Sequence, residues 1–233
     1  MKGILFKPWK IKAIAEDDRE WMTRRLGGLK EINKTPDKWI WNQWQESQAW
    51  CSRFDTFWFD DSKGRIDAPR IGVKPRYQVG EVVYIKEAYG DLGWFDKGII
   101  THKLTDKKGI EHDIIYPSDN PDFEWRGDSG GVEYRKDGSE RSYWKSPMMM
   151  PEWAARYFIK ITDIRAERLQ EITEEDARAE GVKLLGYTTQ FGRLLGKNTY
   201  RWSFEQLWDS INPKYPWESN PWVFVYSFKK AEK

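Results

Sequence analysis

Four places along the chain carry side chains whose types and spacing suit chemistry on a base or a phosphate. Thr23 is followed at once by Arg24 and Arg25. A threonine hydroxyl becomes a nucleophile only when a neighbouring base takes its proton or a cation steadies the alkoxide; otherwise it serves as a hydrogen-bonding group. A guanidinium presents a planar fork that matches phosphate, and the same fork also suits carboxylates such as Glu16, Asp17 and Glu20 close by. Glu180, just before Gly181, can act as a general base, read an exocyclic amine or simply face water at the end of a helix. Lys86 and Glu87 close the most β-rich run of the chain. Strand ends of that kind often meet functional loops, and their charges also protect sheet edges. Trp144 and Lys145 set a stacking plane beside a cation, a combination suited to single-stranded nucleic acid, or else an edge tryptophan with a snorkelling lysine.

Other chemistries lack the residues. Cys51 is the single cysteine and His102 and His112 are the only histidines, so neither an internal disulfide nor the usual zinc ligand set is available, and no metal or cofactor is expected. Lys and Arg number 39 against 37 Asp and Glu, a formal charge of +2, which excludes a protein that coats nucleic acid by charge alone. Any nucleic-acid site must be a local patch. No apolar run approaches the roughly 18 residues of a membrane helix and Met1 to Trp9 lacks a secretory core, so a cytoplasmic protein is expected. The 15 Trp, 11 Tyr and 11 Phe are far more than one site can use, and most must fill the core; Trp208, Trp217 and Trp222 sit among apolar residues and are assigned there.

The elements that must position these groups read as short pieces. Gly3 to Phe6 suits a strand, and the apolar spacing of Ile11, Ile14, Ala15, Met22 and Leu26 predicts a helix over Lys10 to Leu26, ended by Gly27-Gly28. Thr35 to Asp61 favours strands, and Ser62 to Pro75 reads as a connector. Glu81 to Ala88 is a strand, and Ile99 to Ile115 a hairpin turning at Asp106 to Gly109; Pro117 to Ser142 is a Gly- and Asp-rich excursion. Tyr157 to Arg165 alternates as a strand. Thr173 caps a short helix that Gly181 stops, Ser203 to Ile211 is a second helix, and Pro221 to Phe228 a closing strand. The sum is one α+β domain over residues 1–233, dominated by short strands, with insertions at about 30–75 and 117–142.

Four segments then resemble the ASCH superfamily, in its longer phage and prophage form. They are MKGILFKPW with MTRR, YQVGEVVYIKEAY, YWKSPMMMPEWAARYFIKITDIRAERLQEITEEDARAEGV, and FEQLWDSIN with WESNPWVFVYSF. The resemblance implies a PUA-like small β-barrel with flanking helices, and a cleft for RNA, a nucleotide or a modified nucleoside. Some small members of the family are amidohydrolases of N4-acetylcytidine that use Lys and Thr of a G-x-K-x-x-T-x-R motif and a later Glu. On this sequence the motif falls at Asp18 to Arg25: Thr23, Arg25 and the later Glu180 match, while Gly is Asp18 and the lysine is Glu20. The missing cation points to binding rather than hydrolysis, with Arg24, Arg25, Lys86, Glu87, Trp144 and Lys145 as contacts; the alternative is an amidohydrolase in which Thr23 attacks and Glu180 moves protons. A ribonuclease, also reported among relatives, ranks third.

Overall fold

Pro8 opens the first helix because its fixed φ suits the first turn, where its missing N–H is not needed. In the computed structural model, which describes residues 1–41, 56–63, 70–92, 101–116, 119, 144–185, 187–188, 194–195 and 199–232, that helix is Pro8–Glu16 (α1), after the strand Gly3–Leu5 (β1). It buries Ile11 and Ile14 and stops at Asp17, well short of Leu26. Trp21–Arg25 is a strand, β2. The spacing of Met22 and Leu26 explains the difference: positions four apart share a helix face, but they also share a strand face.

The remaining elements run, in order, Trp39–Trp41 (β3), Phe57–Asp61 (β4), Ile71–Val73 (β5), Val82–Lys86 (β6), Gly90–Leu92 (β7), His102–Thr105 (β8), Glu111–Ile115 (β9), Phe158–Arg168 (β10), Glu174–Ala179 (α2), Tyr187–Thr188 (β11), Leu194–Leu195 (β12), Tyr200–Ile211 (α3) and Trp222–Ala231 (β13). The fold is mixed α+β with few helices and several small sheets. Strand β5 lies where a connector is expected. Cys51, and the 117–142 excursion apart from Asp119, lie outside the described residues. Among the described residues no helix is long and apolar enough to cross a membrane.

The chain divides into two compact units. The first comprises Met1–Asp18, Val82–Ile159 and Lys230–Lys233. There β1 pairs parallel with β6, and β7, β9 and β8 form an antiparallel sheet. The expected hairpin is present: Asp106 Oδ1 accepts from the backbone of Lys108 and Ile110, and Gly109 takes the left-handed φ of 81° that a side chain would resist. Tyr84, Tyr89, Ile114, Tyr116, Met150 and Phe158 are among the residues of its core.

The second unit comprises Arg19–Glu81 and Lys160–Lys229. Its β2 pairs antiparallel with β13, Thr23 opposite Tyr226, and β3, β4 and β5 form an antiparallel sheet. One face of the β2–β13 pair packs on α2 and α3 through Val223, Val225, Phe204, Trp208 and Trp217, with Met22 and Leu26 against them. Threonines cap both helices: the hydroxyls of Thr173 and Thr199 accept from the backbone N–H three residues on, at 3.1 and 3.2 Å, and the second helix begins at Tyr200, ahead of the expected Ser203. Trp208, Trp217 and Trp222 are buried, as expected.

Candidate functional site

Strand alternation sorts the predicted residues of the second unit. Met22 and Arg24 leave β2 toward α2 and α3, so Thr23 and Arg25 leave it on the opposite face. A one-residue step therefore separates two different environments.

Arg24 lies at the buried centre of an ionic network. Its side chain is 0% exposed. Glu167 Oε1 accepts from its Nε at 2.9 Å and from Nη2 at 2.5 Å, Asp176 Oδ2 accepts from Nη2 at 2.8 Å, and Glu180 Oε1 accepts from Nη1 at 3.3 Å. Arg165 ties the same acids together, donating to Glu167 at 2.9 Å and to Asp176 at 2.7 Å. Burial opposes the charge on Arg24, but Glu180, Glu167 and Asp176 together hold its pKa above the ordinary guanidinium value. The donors of Arg24 are thus committed to carboxylates rather than offered to a phosphate, and Glu180 is held on the face away from Thr23.

The other face is aromatic. Thr23 is 4% exposed and sits opposite Tyr226, whose ring meets Tyr77 edge-on at 5.4 Å. Phe224, opposite Arg25, meets Phe57 edge-on at 5.1 Å. Arg25 keeps part of its surface exposed while its Nε is buried. Burial pushes its guanidinium below the ordinary value, against the favourable pull of Glu180, Tyr77 and Tyr226. The Tyr226 hydroxyl accepts from the Arg76 backbone at 3.1 Å, and its burial pushes its pKa up to about 12, so it is a neutral phenol at physiological pH. Glu20 is an exposed carboxylate that accepts from the Thr162 hydroxyl at 2.7 Å.

The first unit holds the remaining predicted residues. Glu87 is 6% exposed and forms a two-pronged pair with Arg156, at 2.8 and 3.0 Å. Burial pushes the Glu87 carboxyl up, and Arg156 pulls it back without cancelling the rise. Arg156 also donates to Asp119, which lies 2.7 Å from Nε2 of His102, and its guanidinium stacks on the ring of Tyr116 at 4.0 Å. Lys86 donates to the Met148 carbonyl at 3.0 Å. Lys145 pairs by backbone with Tyr89 and holds its ammonium 5.3 Å over that ring. Trp144 is half-buried beside Gly90.

Arg156, Asp119 and His102 were not legible as a group, because no short spacing links residues 87, 102, 119 and 156. Arg165 and Glu167 did carry a signal: two opposite charges on one face of a strand whose other face, with Ile164 and Ala166, is buried. Among the described residues no three or more His, Cys, Asp or Glu side chains are grouped to hold a metal ion. Comparison with known proteins finds no matching family model, no matching curated protein and no matching solved structure.

Proposed function

We propose that the chain is a PUA-like β-barrel protein of ASCH type that binds a nucleotide, or a base within RNA, against the face of β2 that bears Thr23 and Arg25. The observation that carries this reading is Arg25, a guanidinium kept partly desolvated among Tyr77, Tyr226 and Phe224. An anion brought to such a cation offsets the cost of its burial, and aromatic rings beside it offer a base its stacking surface. The Thr23 hydroxyl supplies a donor and an acceptor for the edge of a base. Arg24, Glu167, Asp176 and Glu180 fix the strand from behind, which keeps Thr23 and Arg25 in one geometry.

A second reading is hydrolysis of an N4-acylated cytosine. It draws on Arg25, which shares the face of Thr23 and could steady an alkoxide in place of the missing lysine. Against it, Glu180 is bound to Arg24 on the other face and Glu20 supplies no cation. Incubation with N4-acetylcytidine and its acyl homologues, followed by chromatography alongside equilibrium binding of cytidine monophosphate, separates the two. Saturable binding without cytidine release, weakened roughly ten-fold by Arg25→Gln as for a lost hydrogen bond to a charged group, supports binding. Release abolished by Thr23→Ala would replace this reading with the hydrolase. Neither binding nor release would end both.

A further inference from the structure

In the first unit, the turn after Lys145 exposes two large apolar side chains side by side. Met148 is 64% exposed and Met149 75%. Single exposed apolar residues are ordinary, but adjacent ones on a rigid support are not. The support is rigid: Pro147–Met149 forms a 3-10 turn, the Ser146 hydroxyl accepts from the Met148 N–H at 3.3 Å, and the Met149 N–H donates to the Ser146 carbonyl at 2.9 Å. The next residue, Met150, is 1% exposed; its carbonyl accepts from the Tyr84 hydroxyl at 3.2 Å, and its sulfur from the Glu87 N–H at 3.2 Å. The ledge is therefore fastened to the core.

Its flanks are cationic. The side chain of Lys86 crosses over Gly3, where a Cβ would collide with it, and one of its three donors reaches the Met148 carbonyl. Lys145 is exposed and precedes the turn. Among the described residues no carboxylate forms an ion pair with either lysine, and the neighbouring Glu87 points inward to Arg156. Trp144 adds a half-buried ring beside Lys145. Exposed methionine, an aromatic ring and two lysines together match the bases and backbone of a single strand: thioethers fit irregular apolar surfaces and can wedge between bases, while ammonium groups meet phosphates.

We propose that the Met148–Met149 ledge, with Lys86 and Lys145, is a contact for single-stranded nucleic acid distinct from the Thr23–Arg25 face. The inference rests on the reading that the ligand class is nucleic acid rather than a free nucleoside alone. The test is fluorescence anisotropy with labelled RNA and DNA single strands of about twelve nucleotides, a common site size, run beside cytidine monophosphate binding. Replacing both methionines by alanine is expected to weaken strand binding about ten-fold, the scale of one lost base contact, while the double leucine variant retains most of it. Lys86→Ala and Lys145→Ala are each expected to lower the slope of log affinity against log salt by about 0.7. Strand binding unchanged in the double alanine variant would overturn the ledge, and so would nucleotide binding with no strand binding at all. Loss of both ligands in the wild-type protein would overturn the nucleotide reading with it.

Discussion

Arg24, buried, and Arg156, half-buried, are both guanidiniums held by carboxylates, yet the two networks end differently. Arg24, 0% exposed, is closed by Glu167, Asp176 and Glu180, with Arg165 binding two of those acids from the far side. Arg156, 9% exposed, holds Glu87 inside but passes through Asp119 to His102, which is 34% exposed. The Arg24 network is built of guanidiniums and carboxylates alone and its outermost member is Arg165, whereas that of Arg156 ends in an imidazole. The same residue type therefore sits deep among three carboxylates in one unit and nearer the surface, beside a histidine, in the other.

Removing each arginine tests that contrast. Arg24→Ala leaves buried carboxylates without their cation and is expected to lower stability by about 3–5 kcal/mol, read from urea unfolding. Arg156→Ala orphans Glu87 but leaves Asp119 and His102 access to water, so a smaller loss of about 2–3 kcal/mol is expected. Equal losses would erase the distinction. Thr173→Ala removes the cap of the helix that carries Asp176 and should cost about 1 kcal/mol, with no effect on cytidine monophosphate binding beyond that of the lost stability.

The smallest effect expected is a change in pH dependence. Burial works against the charge of Asp119, but His102 and Arg156 hold its pKa below the usual aspartate value. A carboxyl depressed on folding adds stability above its unfolded value near pH 4, and that stability is lost as pH falls through the lower folded value. Asp119→Asn should therefore flatten the decline of the urea midpoint below about pH 4. A wild-type slope in the variant would show that Asp119 is not the group responsible.

Local signals made some elements legible and hid others. Val82–Lys86 with its β-branched run, the hairpin turned by Asp106 and Gly109, and the helix capped by Thr173 each announce themselves within a few residues. Trp21–Arg25 did not, since Met22 and Leu26 fit both periods and only the pairing with β13, two hundred residues away in sequence by rough count, selects the strand. That single change of period decides the site, because it sends Arg24 to one face and Thr23 with Arg25 to the other. Thr23, Arg24, Arg25 and Glu180 are all found in one unit, and the roles of the two arginines separate only once the strand is known. Lys86, Glu87, Trp144 and Lys145 lie in the other unit, and the partner of Glu87, Arg156, comes from a distant segment without a motif to mark it.

Isothermal titration of cytidine monophosphate into wild-type protein, Arg25→Gln and Asp176→Asn separates the proposed ligand-facing Arg25 from Arg24, which holds the strand. We expect Arg25→Gln to fold normally and bind roughly ten-fold more weakly, and Asp176→Asn, which perturbs only the Arg24 network, to lose stability yet bind as the wild type does. Unchanged affinity in Arg25→Gln, or a loss of affinity confined to Asp176→Asn, would contradict the account.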